Sequence, residues 1–234
     1  MNHQPQQPWA PVPPGQAMAV PPRYAFAVSS NNPIPLGEVP GLPPGLEMAA
    51  TLRLSGADPL APPVARVCVP RTNAPLSLSA PVPFWVQGGS GELLCSVHPA
   101  DSGAFDVHGA DGAPLARVTY RVGRFLPWPR RTRWSAAGFT GRTGTWYAWL
   151  GYVVTYPVWL IAAVFSVVYA LIEGDTTDSN WRPPTRVRWR GRGLRTVLDY
   201  RGITKVYRVE PRHIDIRIAY PLAVLHDWSR RSRT

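Results

Sequence analysis

Residues 105–120 read FDVHGADGAPLARVTY, and this stretch is the clearest indicator of fold class in the chain. Apolar and polar residues alternate on both sides of Asp111-Gly112, a pair that supplies the positive-φ positions of a tight hairpin turn. Residues 23–142 are therefore predicted to form a β-rich domain. Short apolar runs broken by proline and glycine predict its strands over 24–29, 51–54, 65–69, 83–87, 92–98, 104–108 and 115–122.

A second β-rich stretch follows, because residues 174–234 are predicted to be a basic β-hairpin region with an apolar C-terminal segment. Residues 185–190 alternate strictly between arginine and apolar side chains, and 194–200 and 204–209 are typical of two further strands. The last apolar run is ambiguous. Its first half alternates like a strand, whereas Pro221 favours the start of a short C-terminal helix.

An apolar segment separates these two stretches. Residues 143–172 read TGTWYAWLGYVVTYPVWLIAAVFSVVYALI and contain no Asp, Glu, Lys, Arg or His. A hydrocarbon core of ~30 Å needs about 20 helical residues, so 143–173 is predicted to be a transmembrane helix. The fold class is therefore a membrane-anchored, mainly β protein with an antiparallel body. The aromatic residues predicted to anchor the helix at the membrane interfaces are Trp146, Tyr147, Trp149 and Tyr169.

Two arrangements of the apolar segment remain open. Pro157 lies near its middle and predicts a kink, or else a re-entrant hairpin broken at that proline. A single crossing of the cell membrane, with the N-terminus in the cytoplasm, is the primary expectation. Residues 1–22 are rich in proline and glutamine and carry no charged side chain, which predicts a disordered tail rather than a signal peptide. This tail is also a candidate site for a protein partner.

Arginine dominates the charge of the chain. The net charge is +11, and Lys205 is the only lysine. Arginines cluster on both sides of the apolar segment. The forked guanidinium group of arginine suits phosphate groups, so both clusters are predicted to contact anionic lipid headgroups or an acidic partner. For the second cluster, a solvated or salt-bridged strand face is an equal alternative. The predicted contact residues are Arg130, Arg131 and Arg133 before the apolar segment, and Arg186, Arg188 and Arg190 after it.

Catalytic patterns are not found in the sequence. The histidines and the two cysteines, Cys68 and Cys95, match no metal-binding or nucleophile spacing, so no enzyme activity, metal or cofactor is predicted. The cysteines are predicted to be buried thiols. One alternative is a lipid-acting enzyme assembled from distant strands, with His98, His108, Asp199 and Asp215 as its candidate residues. The other is a nucleic-acid binder that uses residues 189–193, and it is disfavoured because that stretch is short.

Residues 104–118 resemble the repeated hairpins of the tubby-C-terminal-like group, which includes the LURP-one-related proteins and the phospholipid scramblases. The hairpin around 199–202 and the apolar run 214–228 are similar to the closing strands and the central hydrophobic helix of that group. The resemblance implies a β-barrel around a helix, membrane association, and a link to phosphoinositides or lipid movement. The chain departs from the group by placing its apolar segment between the two halves. If both halves formed one barrel, a re-entrant hairpin would be permitted and a single crossing would not.

Overall fold

The computed structural model describes residues 23–36, 42–58, 60–72, 78, 80–122, 132–143, 186–191, 195–202 and 204–231. The strands are β1 Tyr24–Pro35, β2 Leu46–Leu54, β3 Ala65–Pro70, β4 Phe84–Gly88, β5 Leu93–Pro99, β6 Ala104–Gly109, β7 Pro114–Val122, β8 Thr132–Ala136, β9 Phe139–Thr143, β10 Arg186–Arg190, β11 Thr196–Arg201 and β12 Val206–Val209. The helix α1 spans Ile216–Arg231.

The strands form one closed antiparallel barrel. Each strand pairs with its neighbours in the chain, and β1 closes the ring by pairing with β12, where Phe26 lies opposite Tyr207. The prediction of an antiparallel β-rich body is therefore confirmed. Strands β8 and β9 were not predicted. Their sequences, TRWSA and FTGRT, are short and carry arginine and glycine where an isolated strand would carry apolar residues.

The two β-rich stretches belong to the same barrel. Strand β9, from the first stretch, pairs with β10, from the second, and places Thr143 opposite Val187 and Gly141 opposite Trp189. The sequence left open whether the two stretches form one body, and the pairing answers that question. Residues 144–185 therefore connect two adjacent, hydrogen-bonded strands.

Helix α1 fills the barrel. An eight-stranded barrel is filled by its own side chains, whereas twelve strands enclose enough room for a helix of about 10–12 Å diameter. Leu222, Val224 and Leu225 have no exposed surface, and residues on every side of the helix are buried. Over residues 218–225 the enclosed helix is apolar on every side, which is why its first residues, 216–220, could also be taken for a strand. The structure makes them helical, and Pro221 lies inside the helix.

The direction of α1 follows from its contacts with β1. The hydroxyl groups of Tyr24 and Tyr220 lie 3.1 Å apart, and farther along both elements the Ser30 hydroxyl donates to Asp227 at 3.4 Å. The helix therefore runs parallel to β1. Inside the barrel, the Tyr207 hydroxyl lies 2.8 Å from Nδ1 of His226 and donates to the carbonyl oxygen of Ala223 at 3.0 Å. These bonds fix the helix against the closing strand.

Several predictions concern residues outside the described ranges. They are the tail 1–22, Arg130, Arg131, the four interface aromatics Trp146, Tyr147, Trp149 and Tyr169, Pro157, and all of the predicted helix 143–173 except Thr143. In the ranges that the structure does describe, no helix has both the length and the apolar character needed to cross a membrane.

Both cysteines are free thiols buried in the barrel wall, as predicted. Burial raises the pKa of the Cys68 thiol to about 11 and that of the Cys95 thiol to about 12. Because the thiolate is the reactive form, a Cys68 pKa raised from 9.0 to about 11 leaves roughly 100-fold less thiolate near neutral pH. We expect iodoacetamide at pH 8 to leave both cysteines unmodified in the folded protein and to modify both in denaturant, as measured by intact mass. Alkylation of folded protein would contradict the burial.

Candidate functional site

Residues 144–185 are an insertion between the adjacent strands β9 and β10. The end of the barrel where β9 ends and β10 begins is therefore called the insertion end. Antiparallel pairing places the end of β7 and the start of β8 there as well, because Val122 lies opposite Thr132. Thr143 is held at this rim: its hydroxyl oxygen accepts a hydrogen bond from the Thr132 backbone N–H at 2.7 Å and lies 2.9 Å from the Thr132 hydroxyl. Strand β9 thus ends at a fixed point of the rim, next to the start of β10.

A row of arginines crosses the outer wall just below this rim. The strand register places Arg121 opposite Arg133, Arg133 opposite Arg142, and Arg142 opposite Arg188. These four residues, on the adjacent strands β7 to β10, are called the arginine row. Neighbouring strands lie about 4.8 Å apart, so the row is ~14 Å long. Asp199 and then Arg208 continue it onto β11 and β12.

Strand alternation directs these arginines outward. The adjacent residues Trp134 and Trp189 have no exposed surface and point into the barrel, so the arginines beside them must lie on the outer face. Gly141 lies between the two tryptophans on β9. A Cβ atom there would lie 2.5 Å from Nε1 of Trp189, and only glycine leaves room for the indole. The two buried tryptophans thereby hold in place the strands that carry the arginine row.

Asp199 compensates the positive charge on only one side of the arginine row. Its carboxylate accepts two hydrogen bonds from Arg186, at 2.9 and 2.6 Å. Nε of Arg201 lies 3.6 Å from the same carboxylate, and Nε of Arg188 lies 3.8 Å from it. Asp199 is 8% exposed, so three arginines cover a single buried acid. This part of the wall has a structural role as well as a net positive charge.

On the other side of the row, the strand register places no acid among the described residues opposite an arginine. In the part of the chain that the structure describes, no ion pair joins Arg121, Arg133 or Arg142 to a carboxylate. Like charges directly opposite each other on neighbouring strands destabilise a sheet. Three consecutive pairs of this kind at one barrel end indicate a surface suited to an anion.

Helix α1 adds basic residues at the same end. Because it runs parallel to β1, its last turn lies towards the insertion end, and that turn contains Arg230 and Arg231. The Arg230 guanidinium carbon lies 4.9 Å from the ring centre of Tyr200, and Arg231 pairs with Asp227 at 2.9 Å. Burial is the largest influence on Asp227 and raises the pKa of its carboxyl group, although Arg231 acts in the opposite direction.

The structure brings together four of the six predicted contact arginines. Arg133 lies on β8, and Arg186, Arg188 and Arg190 lie on β10, two strands away on the same outer wall. The sequence reasoning missed Arg121, Arg142 and Arg208. Their strands alternate between inward and outward side chains, as a barrel wall requires. Only the register between strands shows that these arginines lie beside the predicted ones.

The four residues predicted for the enzyme alternative, His98, His108, Asp199 and Asp215, do not lie together in one site. The rings of His98 and His108 lie 5.6 Å apart on the outer wall, on β5 and β6. Asp199 lies on β11, six strands from β5 and five from β6 in the ring of twelve. Asp215 precedes α1 at the opposite end, where hydrogen bonds from Arg217 lower the pKa of its carboxyl group despite the opposing effect of burial.

Comparison with known proteins identifies no relative: no protein-family model, curated protein or solved structure matches this chain. The resemblance to the tubby-C-terminal-like group thus stays a prediction from the residues that carry it. A barrel closed around a helix is the architecture that this resemblance implies.

Proposed function

We propose that this protein is a membrane-docking barrel. Its insertion end faces an anionic bilayer, the apolar segment 143–172 enters the hydrocarbon, and the arginine row contacts the headgroups. The observation that carries the proposal is the pairing of β9 with β10. That pairing places Thr143 and Val187, the strand residues on either side of segment 144–185, opposite each other at one rim, directly beside Arg142 and Arg188.

The pairing favours a re-entrant segment over a single crossing. A single crossing would place β9 and β10 on opposite sides of the bilayer, although they are hydrogen-bonded to each other. The chain could return only through residues 173–185, which contain three acids and one arginine and are unsuited to hydrocarbon. A hairpin turning near Pro157 has arms of 14 and 15 residues, each about 21–23 Å long if helical. Such arms enter a ~30 Å core without crossing it.

The charge distribution supports the same orientation. Basic residues near an anionic leaflet contribute ~1 kcal/mol each, and this attraction fades within a Debye length of about 8–10 Å. The arginine row lies one residue below the rim, so it can reach the headgroups when the rim touches the bilayer. The scramblase-like, enzymatic and nucleic-acid alternatives have no comparable geometric support in the described residues.

We expect Arg133→Gln/Arg142→Gln to weaken binding to vesicles that contain anionic lipid by about 30-fold at 0.1 M salt, because two basic residues that contribute ~1 kcal/mol each are lost from the contact. Arg121 and Arg188 remain, so some binding should persist. The measurement is flotation with zwitterionic and anionic vesicles, using detergent-reconstituted protein at low and high salt. Arg212→Gln at the opposite end is the matched control. Binding indifferent to lipid charge and salt would contradict the role of the arginines.

A further inference from the structure

A line of hydroxyl groups runs parallel to the arginine row. The register places Thr119 opposite Ser135, Ser135 opposite Thr140, and Thr140 opposite Arg190. Each hydroxyl residue lies two positions from an arginine on its own strand, so its side chain emerges on the same outer face about 7 Å away. All three are exposed or half-buried. The wall therefore presents guanidinium groups and hydroxyl groups side by side.

Within the described ranges, Arg133 and Arg142 form no ion pair with a carboxylate, whereas Arg188 lies 3.8 Å from Asp199. Other arginines of the barrel have acidic partners: Arg23 pairs with Glu210, Arg117 with Asp101, and Arg217 with Asp215. Arg133 and Arg142 have none among the described residues, although the barrel could have placed an acid opposite either of them. The nearest acid in the row is Asp199, which is already bonded by Arg186.

We infer that Arg133, Arg142, Arg188, Ser135 and Thr140 form a discrete site for a phosphate group. The source of the phosphate, a lipid headgroup, is the one part of this inference that rests on the proposed membrane docking. Phosphate oxygens match several guanidinium forks at once, and charge-assisted bonds of this kind are roughly twice as strong as neutral ones. The spacing of about 5 Å between neighbouring arginines lets two forks contact one phosphate.

Asp199 lies at one edge of this site. It holds Arg186 by two hydrogen bonds and lies within 3.8 Å of Arg188, so it sets one edge of the donor surface. On its other side, the site is bounded by Arg121. The phosphate is therefore expected to bind between β8 and β10, centred on β9, rather than anywhere on the positive wall.

The test separates recognition of phosphate from attraction to negative charge. Full-length protein is mixed with vesicles of matched surface potential that contain either phosphatidic acid or a long-chain fatty acid. The variants are Arg133→Lys/Arg142→Lys, which keeps the charge but removes the forks, and the control Arg212→Lys. Thermal unfolding of each variant establishes that it is folded.

We expect the protein to bind phosphatidic acid vesicles about tenfold more tightly than carboxylate vesicles, a preference that the double lysine variant loses and the control keeps. Equal binding to both vesicle types, or an unchanged preference in the lysine variant, would overturn the phosphate site and leave membrane docking intact.

A second arm identifies the source of the phosphate. Glycerol 3-phosphate and inorganic phosphate are titrated into the protein in neutral detergent micelles. Saturable binding that the lysine variant lacks, together with failure to bind any vesicle, would support the phosphate site while refuting membrane docking. No binding to phosphate in either form would overturn the site itself.

Discussion

Replacing residues 144–185 with a four-residue glycine-rich turn is expected to leave a folded barrel that no longer needs detergent. The reason is geometric. Thr143 and Val187 already lie opposite each other on adjacent antiparallel strands, so their Cα atoms are about 4.5–5.5 Å apart. A short hairpin loop closes such a gap without strain. The deletion removes nearly all of the apolar segment and leaves the barrel wall and helix α1 in place.

The measurement for this variant is its partition between membrane and aqueous fractions after expression, with size exclusion and circular dichroism of the soluble material. The full-length protein, expressed in parallel, should remain in the membrane fraction. A variant that remains with membranes would show that the barrel itself carries the attachment. A variant that does not fold would contradict the claim that the barrel folds without residues 144–185.

Trp189→Ala is expected to be the most destabilising single substitution near the arginine row. The Trp189 side chain has no exposed surface, packs over Gly141 and lies 5.4 Å from the ring of His226. Truncating a buried tryptophan costs about 3–5 kcal/mol of unfolding free energy, because apolar contacts are lost and a cavity remains. For a protein of this size, the melting temperature should fall by about 6–20 °C.

Thermal unfolding by near-ultraviolet circular dichroism, in a mild non-ionic detergent, measures this loss. Trp85→Ala is the matched control, since Trp85 is only half-buried and lies on β4 across the barrel. It should lower the melting temperature by a much smaller amount. Equal effects of the two substitutions would contradict the central role of the tryptophan pair beneath the row.

Local sequence patterns predicted the individual β-hairpins well. Asp111-Gly112 forms the expected turn: Gly112 has a φ of 77°, and the Asp111 carboxylate accepts a hydrogen bond from the Ala113 N–H at 3.1 Å. Strand alternation also placed Arg186, Arg188 and Arg190 on one face, where the structure has them. In both cases the information lies within a few consecutive residues.

The arginine row could not be predicted, because it depends on register between strands. Arg121, Arg133 and Arg142 are nine to twelve positions apart, and a shift of one residue in either hairpin would separate them. Helix α1 was partly missed for a related reason. The apolar character of residues 218–225 on every side of the helix reflects enclosure by the barrel, which no local pattern reveals.

The most direct test of the account is the sidedness of the two chain ends. Asn2→Cys and Thr234→Cys are introduced separately, and membrane vesicles of known orientation are treated with a membrane-impermeant maleimide. The native cysteines are buried and should not interfere. Because one barrel contains the strands before and after the apolar segment, both introduced thiols are predicted to be labelled from the same side. Labelling from opposite sides would contradict a barrel that docks by one end.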